Sequence, residues 1–344
     1  MSPPHELPCC PVRIPFDVLR RELCRVLLQE GFTPARAERC ATLFAETSLD
    51  GVYSHGLNRF PRFVTMIRQG TIDVAAEPVC VEAFGVLERW DGRRGPGNLN
   101  AEIAMARTIE LARTHGMGCV ALRNTNHWMR GGTYGWQAAR AGMIGICWTN
   151  TNQNLPPWGS REPRIGNNPL IMAVPRAAGA VVLDMALSQF SYGALASYRR
   201  QGRRLPVPGG YDAEGRLTDD PGAIEEAGRP LPIGYWKGSG LSILLDMIGA
   251  LLAAGQPTHR IPNDPLQEAG LTQVFLAFDV SRLFPDGGVD ALLDEIVAHL
   301  HASAPAEGVD RVYYPGERTL LTRRENRERG IPVDPDIWAA VQAL

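Results

Sequence analysis

Three segments near the start of the chain carry apolar residues at helical spacing, and each ends at a glycine. They are FDVLRRELCRVLLQEG (16–31), TPARAERCATLFAETSLDG (33–51) and NRFPRFVTMIRQG (58–70). Thr33 and Pro34 suit the N-cap and the first turn of the second segment, and glycine commonly follows a helix end. The pattern therefore predicts three helices before residue 71.

From about residue 78 the pattern changes to short runs rich in Val and Ile, with turn residues between them. Strands are predicted for PVCVEAFGVLERW, MGCVALRN, MIGICWTN, LIMAVPR, AVVLDM and TQVFLAFDV. Helices are predicted for LNAEIAMARTIELARTHG, ending at Gly116, and near 133–141 and 239–254. VDALLDEIVAHLHASA and PDIWAAVQAL return to helical spacing.

This order of elements predicts a mixed α/β (α+β) fold with two parts. We expect residues 15–77 and 286–344 to form a helical lobe from both chain ends, and residues 78–285 to form a central α/β domain. Within that domain, residues 199–234 are rich in Gly, Pro and charge without a clear period, which is typical of a loop or arm. Residues 1–14 are Pro-rich and are expected to be a disordered leader.

Composition excludes several classes of protein. The 344 residues are 44% hydrophobic and 21% charged, with a formal net charge of −2, so no basic field attracts nucleic acid or an anionic membrane. We expect no membrane span, because the apolar runs are shorter than a bilayer requires. The seven cysteines are scattered without a CxxC pair, which favours reduced thiols in the cytoplasm and predicts no metal site; Cys9–Cys10 lie in the leader.

The usual nucleotide and hydrolase signatures are missing from this chain. No GxGxxG follows a predicted strand, and no GxxxxGK[ST], HExxH or GxSxG occurs. Lys237, however, is the only lysine, since the other 34 basic residues are arginine. Its compact ammonium in YWKGSGLSILLDM suits a phosphate group, and the alternative is an ordinary surface charge.

The string GVYSHGLNRF (51–60) is the clearest candidate for chemistry. Ser54 and His55 fall in a turn after the second helix, and Arg59 follows four residues later, on the same side if a helix begins there. Histidine can pass a proton to an oxygen and arginine can grip a carboxylate, which together suit a small oxo acid. The alternative is a capping histidine and an arginine in a surface ion pair.

A second polar string, RNTNHWMRGGTYGW (123–136), follows a predicted strand, where α/β proteins place ligands. Its hydrogen-bonding residues are Asn124, Asn126, His127 and Arg130. The alternative is a polar loop with Trp128 packed inward. The Asn-rich loop 148–175 is a third candidate, in which IGNNP could bind an amide such as nicotinamide or simply form turns.

Two further strings suit an anionic cofactor. In AVVLDMALSQFSYG, Asp184 ends a predicted strand where a carboxylate could accept from a ribose hydroxyl, and Ser188 and Ser191 follow at a possible helix start. Asp184 could equally be an N-cap. Near the C-terminus, Gly316, Glu317 and Arg318 form a predicted turn that could equally be a helix cap.

Taken together, these strings resemble the type 2 malate/L-lactate dehydrogenase family over about residues 14–344. The strings GVYSHGLNRFPRF, ALRNTNHWMRGGTYGWQAA, GICWTN, PPWG, IGNNPL, DMALSQFSYG and GYWKGSGLSILLDM carry the resemblance. Within the family they are most similar to the branch that reduces 2,3-diketo-L-gulonate.

The resemblance implies a non-Rossmann NAD-binding fold, a homodimer with the site between subunits, and a cytoplasmic NADH-dependent reductase. It assigns the acid/base role to His55 beside Ser54, and in some branches to His127; Arg59 is our choice for the substrate carboxylate. The cofactor segments it implies are Leu183, Asp184, Met185, Ala186, Leu187, Ser188, Gln189, Trp236, Lys237, Gly316, Glu317 and Arg318.

Two departures from the family pattern affect specificity. Gln153 and Asn154 stand where the branch is more apolar, and Glu317-Arg318 replaces an expected His-Glu, so Arg318 could favour NADPH. We predict reduction of a small anionic sugar acid or other 2-oxo acid, most of all 2,3-diketo-L-gulonate. Malate, lactate, ureidoglycolate, sulfolactate or cyclic imino acids are alternatives, as is a non-catalytic ligand-binding protein or a metal-dependent enzyme.

Overall fold

The computed structural model describes residues 12–344, so Cys9, Cys10 and most of the predicted leader lie outside the described residues. The helices are α1 (Phe16–Gln29), α2 (Pro34–Leu49), α3 (Phe60–Arg68), α4 (Gly97–His115), α5 (Gly132–Arg140), α6 (Tyr192–Arg200), α7 (Pro221–Ala227), α8 (Trp236–Ala253), α9 (Val280–Leu283), α10 (Val289–His301), α11 (Glu317–Arg329) and α12 (Pro335–Gln342).

The strands are β1 (Val12–Ile14), β2 (Val79–Phe84), β3 (Leu87–Asp91), β4 (Met117–Asn126), β5 (Met143–Thr149), β6 (Leu170–Val174), β7 (Val181–Met185), β8 (Gly210–Tyr211), β9 (Leu217–Thr218), β10 (Ala269–Asp279) and β11 (Ile331–Val333). Seven of them form one mixed sheet in the order β2-β3-β4-β10-β5-β6-β7. Only the β3–β4 pair in that sheet is parallel. The strand directions therefore differ from those of a doubly wound nucleotide-binding sheet, which is mostly parallel.

A helical part packs around one apolar core and is closed by the two ends of the described chain. The rings of Phe44, Phe60 and Phe63 are almost fully buried and contact one another edge-on or tilted. β1 pairs antiparallel with β11, which brings Val12 opposite Val333. The predicted leader was therefore wrong at residues 12–14, which form a strand because a partner strand from the other chain end is available.

The large sheet is covered by α4 and α5 on one face and by α8 on the other. α4 ends at Gly116 as predicted, with a left-handed φ of +91°. PVCVEAFGVLERW, predicted as one strand, is a hairpin of β2 and β3, because Gly85 takes a φ of +64° and reverses the chain. α10, assigned above to the helical lobe, hydrogen-bonds the β6–β7 connection through Asp290. The division into two domains stays a prediction.

The stretch 199–234 is not a structureless loop. It contains β8, β9 and α7, which pack with α6 around Leu195, Tyr198, Leu205 and Ile224. Asp220 caps α7 by accepting hydrogen bonds from the N–H groups of Gly222 and Ala223. This small layer has its own apolar core, so the expectation of a loop or arm is corrected.

α8 is the one helix of the described chain that is long and apolar enough to cross a membrane by length and composition, which corrects the expectation drawn from the sequence. Its inner face is nevertheless fixed to the protein. Asp246 accepts from Asn150 Nδ2 and from the Thr258 N–H, and the Leu245 carbonyl accepts from Trp148 Nε1. The outer face is apolar, and Leu251 is 75% exposed.

Gly97, at the start of α4, lies against the backbone of Asn126 and His127 at the end of β4. A substitution there tests how closely the two elements pack. A Cβ at Gly97 would overlap the carbonyl oxygens of Asn126 and His127, which are backbone atoms that cannot rotate away. Gly97→Ala should therefore lower the free energy of unfolding by about 1–3 kcal/mol, the usual range for overpacking. Urea titration with far-UV circular dichroism measures the change.

Gly240→Ala is the matched control, because this helical glycine of α8 has no atom within 4 Å of an added Cβ. It should be neutral or slightly stabilising, since alanine favours helix over glycine. Equal stability of the two variants would contradict the proposed close contact between α4 and the end of β4.

Candidate active site

His55 lies in a tight turn that is fastened to the end of α2. The turn Tyr53–His55 follows Gly51, whose φ is +83°. The N–H of Leu57 donates to Ser48 Oγ at 2.9 Å, and a Cβ on Gly56 would overlap the same hydroxyl. Because the turn is anchored by the last helical residues, the His55 side chain has a fixed direction.

The turn brings His55 against His127, which follows the end of β4. Their rings are stacked, with centroids 5.8 Å apart and an interplanar angle of 21°. The two strongest candidate strings in the sequence, separated by about 70 residues, therefore meet at one place. Ring stacking at this distance lets one small substrate reach both imidazoles.

The hydrogen bond of His127 assigns its tautomer, whereas His55 contacts a hydroxyl that suits either tautomer. The backbone N–H of Met129 donates to His127 Nδ1 at 3.0 Å, so the neutral His127 ring carries its proton on Nε2. Ser54 Oγ lies 2.9 Å from His55 Nδ1, where the hydroxyl can orient the ring. Ser54, which the sequence placed beside His55, is thus within hydrogen-bonding distance of its ring.

The pKa of His127 is held well below its usual value. Burial is the largest cause, followed by the positive charge of Arg59 and then by His55 and Arg62. His127 therefore stays neutral around pH 7 and offers an Nε2–H donor. A neutral donor can polarise a carbonyl oxygen, but it has no extra proton to give.

Arg59 is the predicted carboxylate-binding residue, and here it pairs with a carboxylate of the protein. Its Nη2 lies 3.2 Å from Oε2 of Glu268, which is buried immediately before β10. Burial lowers the pKa of Arg59, and Glu268 opposes that shift. Arg62 reaches the same oxygen at 3.5 Å, so two cations share one anion.

Arg130 has a structural position that the sequence did not indicate. Its side chain is only 4% exposed, pairs with Asp50 and has its Nε 3.6 Å from Asp184 Oδ2. Asp184 accepts from the Gly132 N–H at 2.9 Å, and burial raises the pKa of this carboxyl. Asp184 thus holds the start of α5, and binding of a ribose by it stays a prediction.

The amides singled out from the sequence are largely occupied within the protein. Asn126 Nδ2 donates to the carbonyls of Arg94 and Gly95, and Asn124 Nδ2 donates to Asp91. Trp128 packs inward and is 1% exposed, which confirms the structural alternative for that residue. In this string, His127 is the residue directed at His55.

The Asn-rich loop forms a closed network. Asn168 accepts from the Thr151 N–H and donates to Ser242, while Asn154 and Asn167 bond each other in both directions. The asparagines of IGNNP are Asn167 and Asn168. If they bound a nicotinamide amide, as predicted, they would have to break these bonds within the protein. The loop is joined to the start of α6, because Tyr192 Oη donates to the Asn154 carbonyl, and the next residue, Gly193, lies beside Ser54.

Two of the predicted cofactor segments, at Gly316 and at Trp236, each lie beside residues 182–189. The N–H of Val182 donates to the Pro315 carbonyl at 2.9 Å, which places Gly316 next to β7. The Leu187 carbonyl accepts from Ile233, and Gln189 N–H donates to Leu231 at 2.7 Å, which brings the start of α8 to the same edge.

One side chain at this edge has a buried polar atom without a partner among the described residues. Ser188 Oγ is buried without a hydrogen-bond partner within residues 12–344, and such an orphan hydroxyl fits a bound polar group. Trp236 and Lys237 are exposed at the start of α8, where Tyr235 takes a strained φ of +61°. These residues fit the phosphate and ribose parts of a dinucleotide.

In the third predicted cofactor segment, Gly316–Arg318, the side chains of Glu317 and Arg318 already have partners within the protein. Glu317 is buried, pairs with Arg311 and His301, and accepts from the Tyr314 N–H, so its side chain supports the loop. The guanidinium of Arg318 lies over the Tyr313 ring at 4.3 Å. Arg318 is thus partly engaged.

Sequence reasoning missed Glu268, Asp50 and Arg62. Glu268 is 209 residues from Arg59 along the chain, and nothing in PNDPLQEAG marks it as a partner. Arg62, however, stands three residues after Arg59, and helical spacing alone could have placed the two guanidinium groups together.

Known proteins resemble this chain over nearly its whole length. Residues 14–342 match the family described as malate/L-lactate dehydrogenase. The chain is 48% identical over 333 residues to the 2,3-diketo-L-gulonate reductase of Citrobacter koseri, covering 97% of this chain and 100% of the relative. It is 47% identical, with the same coverage, to the enzyme of that name from Escherichia coli strain K12.

Solved structures show the same fold. The sulfolactate dehydrogenase of Methanocaldococcus jannaschii superposes with a TM-score of 0.89 at 27% identity, over 96% of this chain and 95% of that chain. The malate dehydrogenase of Entamoeba histolytica gives a TM-score of 0.91 at 25% identity, over 97% of each chain.

The lowered pKa of His127 predicts a pH dependence of stability. The unfolded chain binds a proton at this histidine below about pH 6.5, whereas the folded chain does not, so stability is full above that pH and falls as the pH drops. The slope from this group is about 1.4 kcal/mol per pH unit until its folded pKa is reached. His127→Gln should remove that component from urea titrations between pH 5 and 7.

His115→Gln provides a control on a histidine with another location, at the end of α4. It should leave the slope of the native protein intact. A His127→Gln protein with the unchanged native slope would contradict the assignment of a neutral His127.

Proposed function

This chain belongs to the malate/L-lactate dehydrogenase family, and we propose that it reduces 2,3-diketo-L-gulonate at C2 to 3-dehydro-L-gulonate with NADH. It is an oxidoreductase that acts on CH–OH groups and the corresponding carbonyls, and it uses a nicotinamide cofactor. Identity of 47–48% over nearly the whole chain to two reductases of that name supports the choice of substrate.

The observation that carries the proposal is the pair His55 and His127 beside the half-buried Arg59. Reduction of a 2-oxo acid needs a donor to the carbonyl oxygen, a proton for the alkoxide and a cation for the carboxylate. His127 Nε2–H, His55 and Arg59 supply these three functions from one place.

Each residue then has a defined task. Arg59 binds the C1 carboxylate with a charge-assisted pair, which requires it to turn from Glu268 or to share its donors with the substrate. His127 donates from Nε2 to the C2 oxygen and stabilises the negative charge that develops there. His55, oriented at Nδ1 by Ser54, delivers a proton to that oxygen.

The cofactor is assigned to the edge formed by Leu183–Gln189, Trp236–Lys237 and Gly316–Arg318. When bound there, a dihydronicotinamide supplies a hydride to C2, so that 2-oxo acid, NADH and a proton give 2-hydroxy acid and NAD⁺. Lys237 provides a point charge for phosphate, and Ser188 Oγ provides an unpaired polar atom. We favour NADH over NADPH because Arg318 is already stacked on Tyr313.

Oxidation of NADH and NADPH, followed at 340 nm, tests the proposal. 2,3-Diketo-L-gulonate with NADH should give the highest kcat/KM, above pyruvate, oxaloacetate, a sulfonated 2-oxo acid and a cyclic imino acid. His55→Ala should lower kcat by about 10²- to 10⁴-fold, the range for general acid catalysis, with NADH binding intact by fluorescence.

Fast reduction of another acid would replace the substrate and retain the mechanism. Binding of a dinucleotide without turnover of any acid would favour a non-catalytic ligand-binding protein. Unchanged turnover in His55→Ala would show that another group donates the proton. Activity that persists in a strong chelator would exclude a metal-dependent mechanism.

We also propose that the enzyme is a cytoplasmic homodimer paired through the outer face of α8. Leu244, Met247, Ile248 and Leu251 form an exposed apolar stripe at helical spacing, and such stripes mark interfaces. The helix begins at Trp236 and Lys237, so this face adjoins the proposed cofactor edge. A second copy seated there would place the site next to the subunit interface.

Leu251→Glu should therefore convert the dimer to monomer, because a carboxylate cannot be buried in an apolar interface without a partner. Light scattering coupled to gel filtration gives the mass, and the 37.6 kDa chain makes the two states distinct. Leu28→Glu on α1 is the control, since Leu28 is also exposed but lies on another face. A monomeric native protein, or a dimer that survives Leu251→Glu, would contradict the proposed interface.

A further inference from the structure

Arg62 is a second cation beside the candidate substrate position, and the proposed mechanism does not use it. It follows Arg59 by three residues at the start of α3, so both guanidinium groups project to the same side. Arg59 Nη2 and Arg62 Nη2 approach the same oxygen, Oε2 of Glu268, at 3.2 and 3.5 Å. Arg62 Nη2 also donates to the Pro265 carbonyl.

The cluster carries more positive than negative charge. Two guanidinium groups share one buried carboxylate, and burial followed by the charge of Arg59 lowers the pKa of Arg62 to about 10. Glu268 and, more weakly, Asp264 oppose that shift. When a substrate carboxylate pairs with Arg59, Glu268 is left to pair with Arg62. The charges of the two arginines are then balanced by two carboxylates.

The donors of Arg62 are also incompletely used. Its hydrogen bonds to Pro265 and Glu268 both use Nη2. Nε is buried and has no hydrogen-bond partner in the part of the chain that the structure describes, although the whole side chain remains 28% exposed. A buried guanidinium donor without an acceptor costs free energy that a ligand oxygen could recover.

The neighbouring residues indicate which ligand oxygen this is. Arg59 is assigned to the C1 carboxylate and His127 to the C2 oxygen, and both arginines lie close enough to His127 to affect its titration. The next oxygen along a sugar acid is the one on C3. Arg62 is the remaining cation of the cluster, three residues along the helix from Arg59.

We propose that Arg62 binds the C3 oxygen of the substrate and thereby selects 2-oxo acids that are oxygenated at C3. This inference rests on the proposed function, because it assumes the same carboxylate and carbonyl positions. A charge-assisted bond from a guanidinium discriminates strongly, since an acid with a bare C3 leaves the buried donor unpaired. Arg62 is then a specificity residue that contacts substrate.

The competing role is purely structural. If Arg62 only helps Glu268 to hold Arg59, its removal weakens every 2-oxo acid by the same factor, because all of them use the carboxylate site. Selectivity therefore distinguishes the two roles, whereas a loss of activity with one substrate does not.

The experiment compares Arg62→Met, Arg62→Lys and the native enzyme with three acids: 2,3-diketo-L-gulonate, hydroxypyruvate and pyruvate. The first two carry an oxygen on C3 and pyruvate does not. For an acid that turns over too slowly, its competitive inhibition constant replaces kcat/KM. Arg68→Met is the matched control, because Arg68 lies on the same helix but pairs with Glu30 at the surface.

Arg62→Met should lose about 10- to 100-fold for the two C3-oxygenated acids and less than about 3-fold for pyruvate, the range for hydrogen bonds to charged groups. Arg62→Lys keeps the charge without the planar fork and should fall between native and Met. Arg68→Met should match the native enzyme. Circular dichroism confirms that each variant is folded.

Equal losses for all three acids, or no loss, would overturn the role of Arg62. A native enzyme without preference for hydroxypyruvate over pyruvate would also overturn it, even if diketogulonate were reduced. By contrast, a native enzyme that fails on diketogulonate but prefers hydroxypyruvate through Arg62 would overturn the proposed substrate and retain this inference.

Discussion

Arg130 lies almost fully buried between the carboxylates of Asp50 and Asp184, and the position of the whole site depends on this charge. An unpaired guanidinium in the interior is costly, so the end of α2 and the end of β7 are held where their carboxylates can reach it. Arg323 of α11 pairs with the other oxygen of Asp50 at 2.6 Å. The turn with His55 starts immediately after Asp50, and the proposed cofactor segment includes Asp184. This charge network thus links the turn that carries His55 to the proposed cofactor segment.

Much of the fold followed from local signals. α1, α2 and α4 begin or end where Pro and Gly residues indicated, and the apolar runs of β4 to β7 and β10 are strands. The failures occur where local signals are weak and long-range contacts decide. Residues 12–14 form a strand because β11, over 300 residues away, supplies a partner. Residues 199–234 fold around a core of only a few apolar side chains, too sparse to leave a period in the sequence.

From the sequence, candidate site residues could be recognised only where a short local motif combines reactive side chains with turn residues. His55, Arg59 and His127 stood out because histidine and arginine beside glycine turns are typical of proton transfer and carboxylate binding. Glu268 and Asp50 carry no such local mark, since an acidic residue becomes a counter-ion only when the fold brings a cation to it. For the asparagines of the loop, sequence indicated hydrogen bonding correctly but could not tell whether the partner was a ligand or the protein. The structure shows that Asn154, Asn167 and Asn168 largely bind within the protein.

The two histidines have different surroundings, and these support the different tasks proposed for them. His127 Nδ1 accepts a backbone N–H from Met129, a residue held at a φ of +64°, so adding a proton there would set two N–H groups against each other. Arg59 and Arg62 oppose the same protonation through their charge. His127 is thereby restricted to donating from Nε2, which suits an oxygen that becomes negative. Ser54 contacts Nδ1 of His55 with a hydroxyl, which can donate or accept and so accommodates either protonation state. The proposed proton delivery is therefore assigned to His55, and the same two arginines that keep His127 neutral are the groups proposed to bind the substrate.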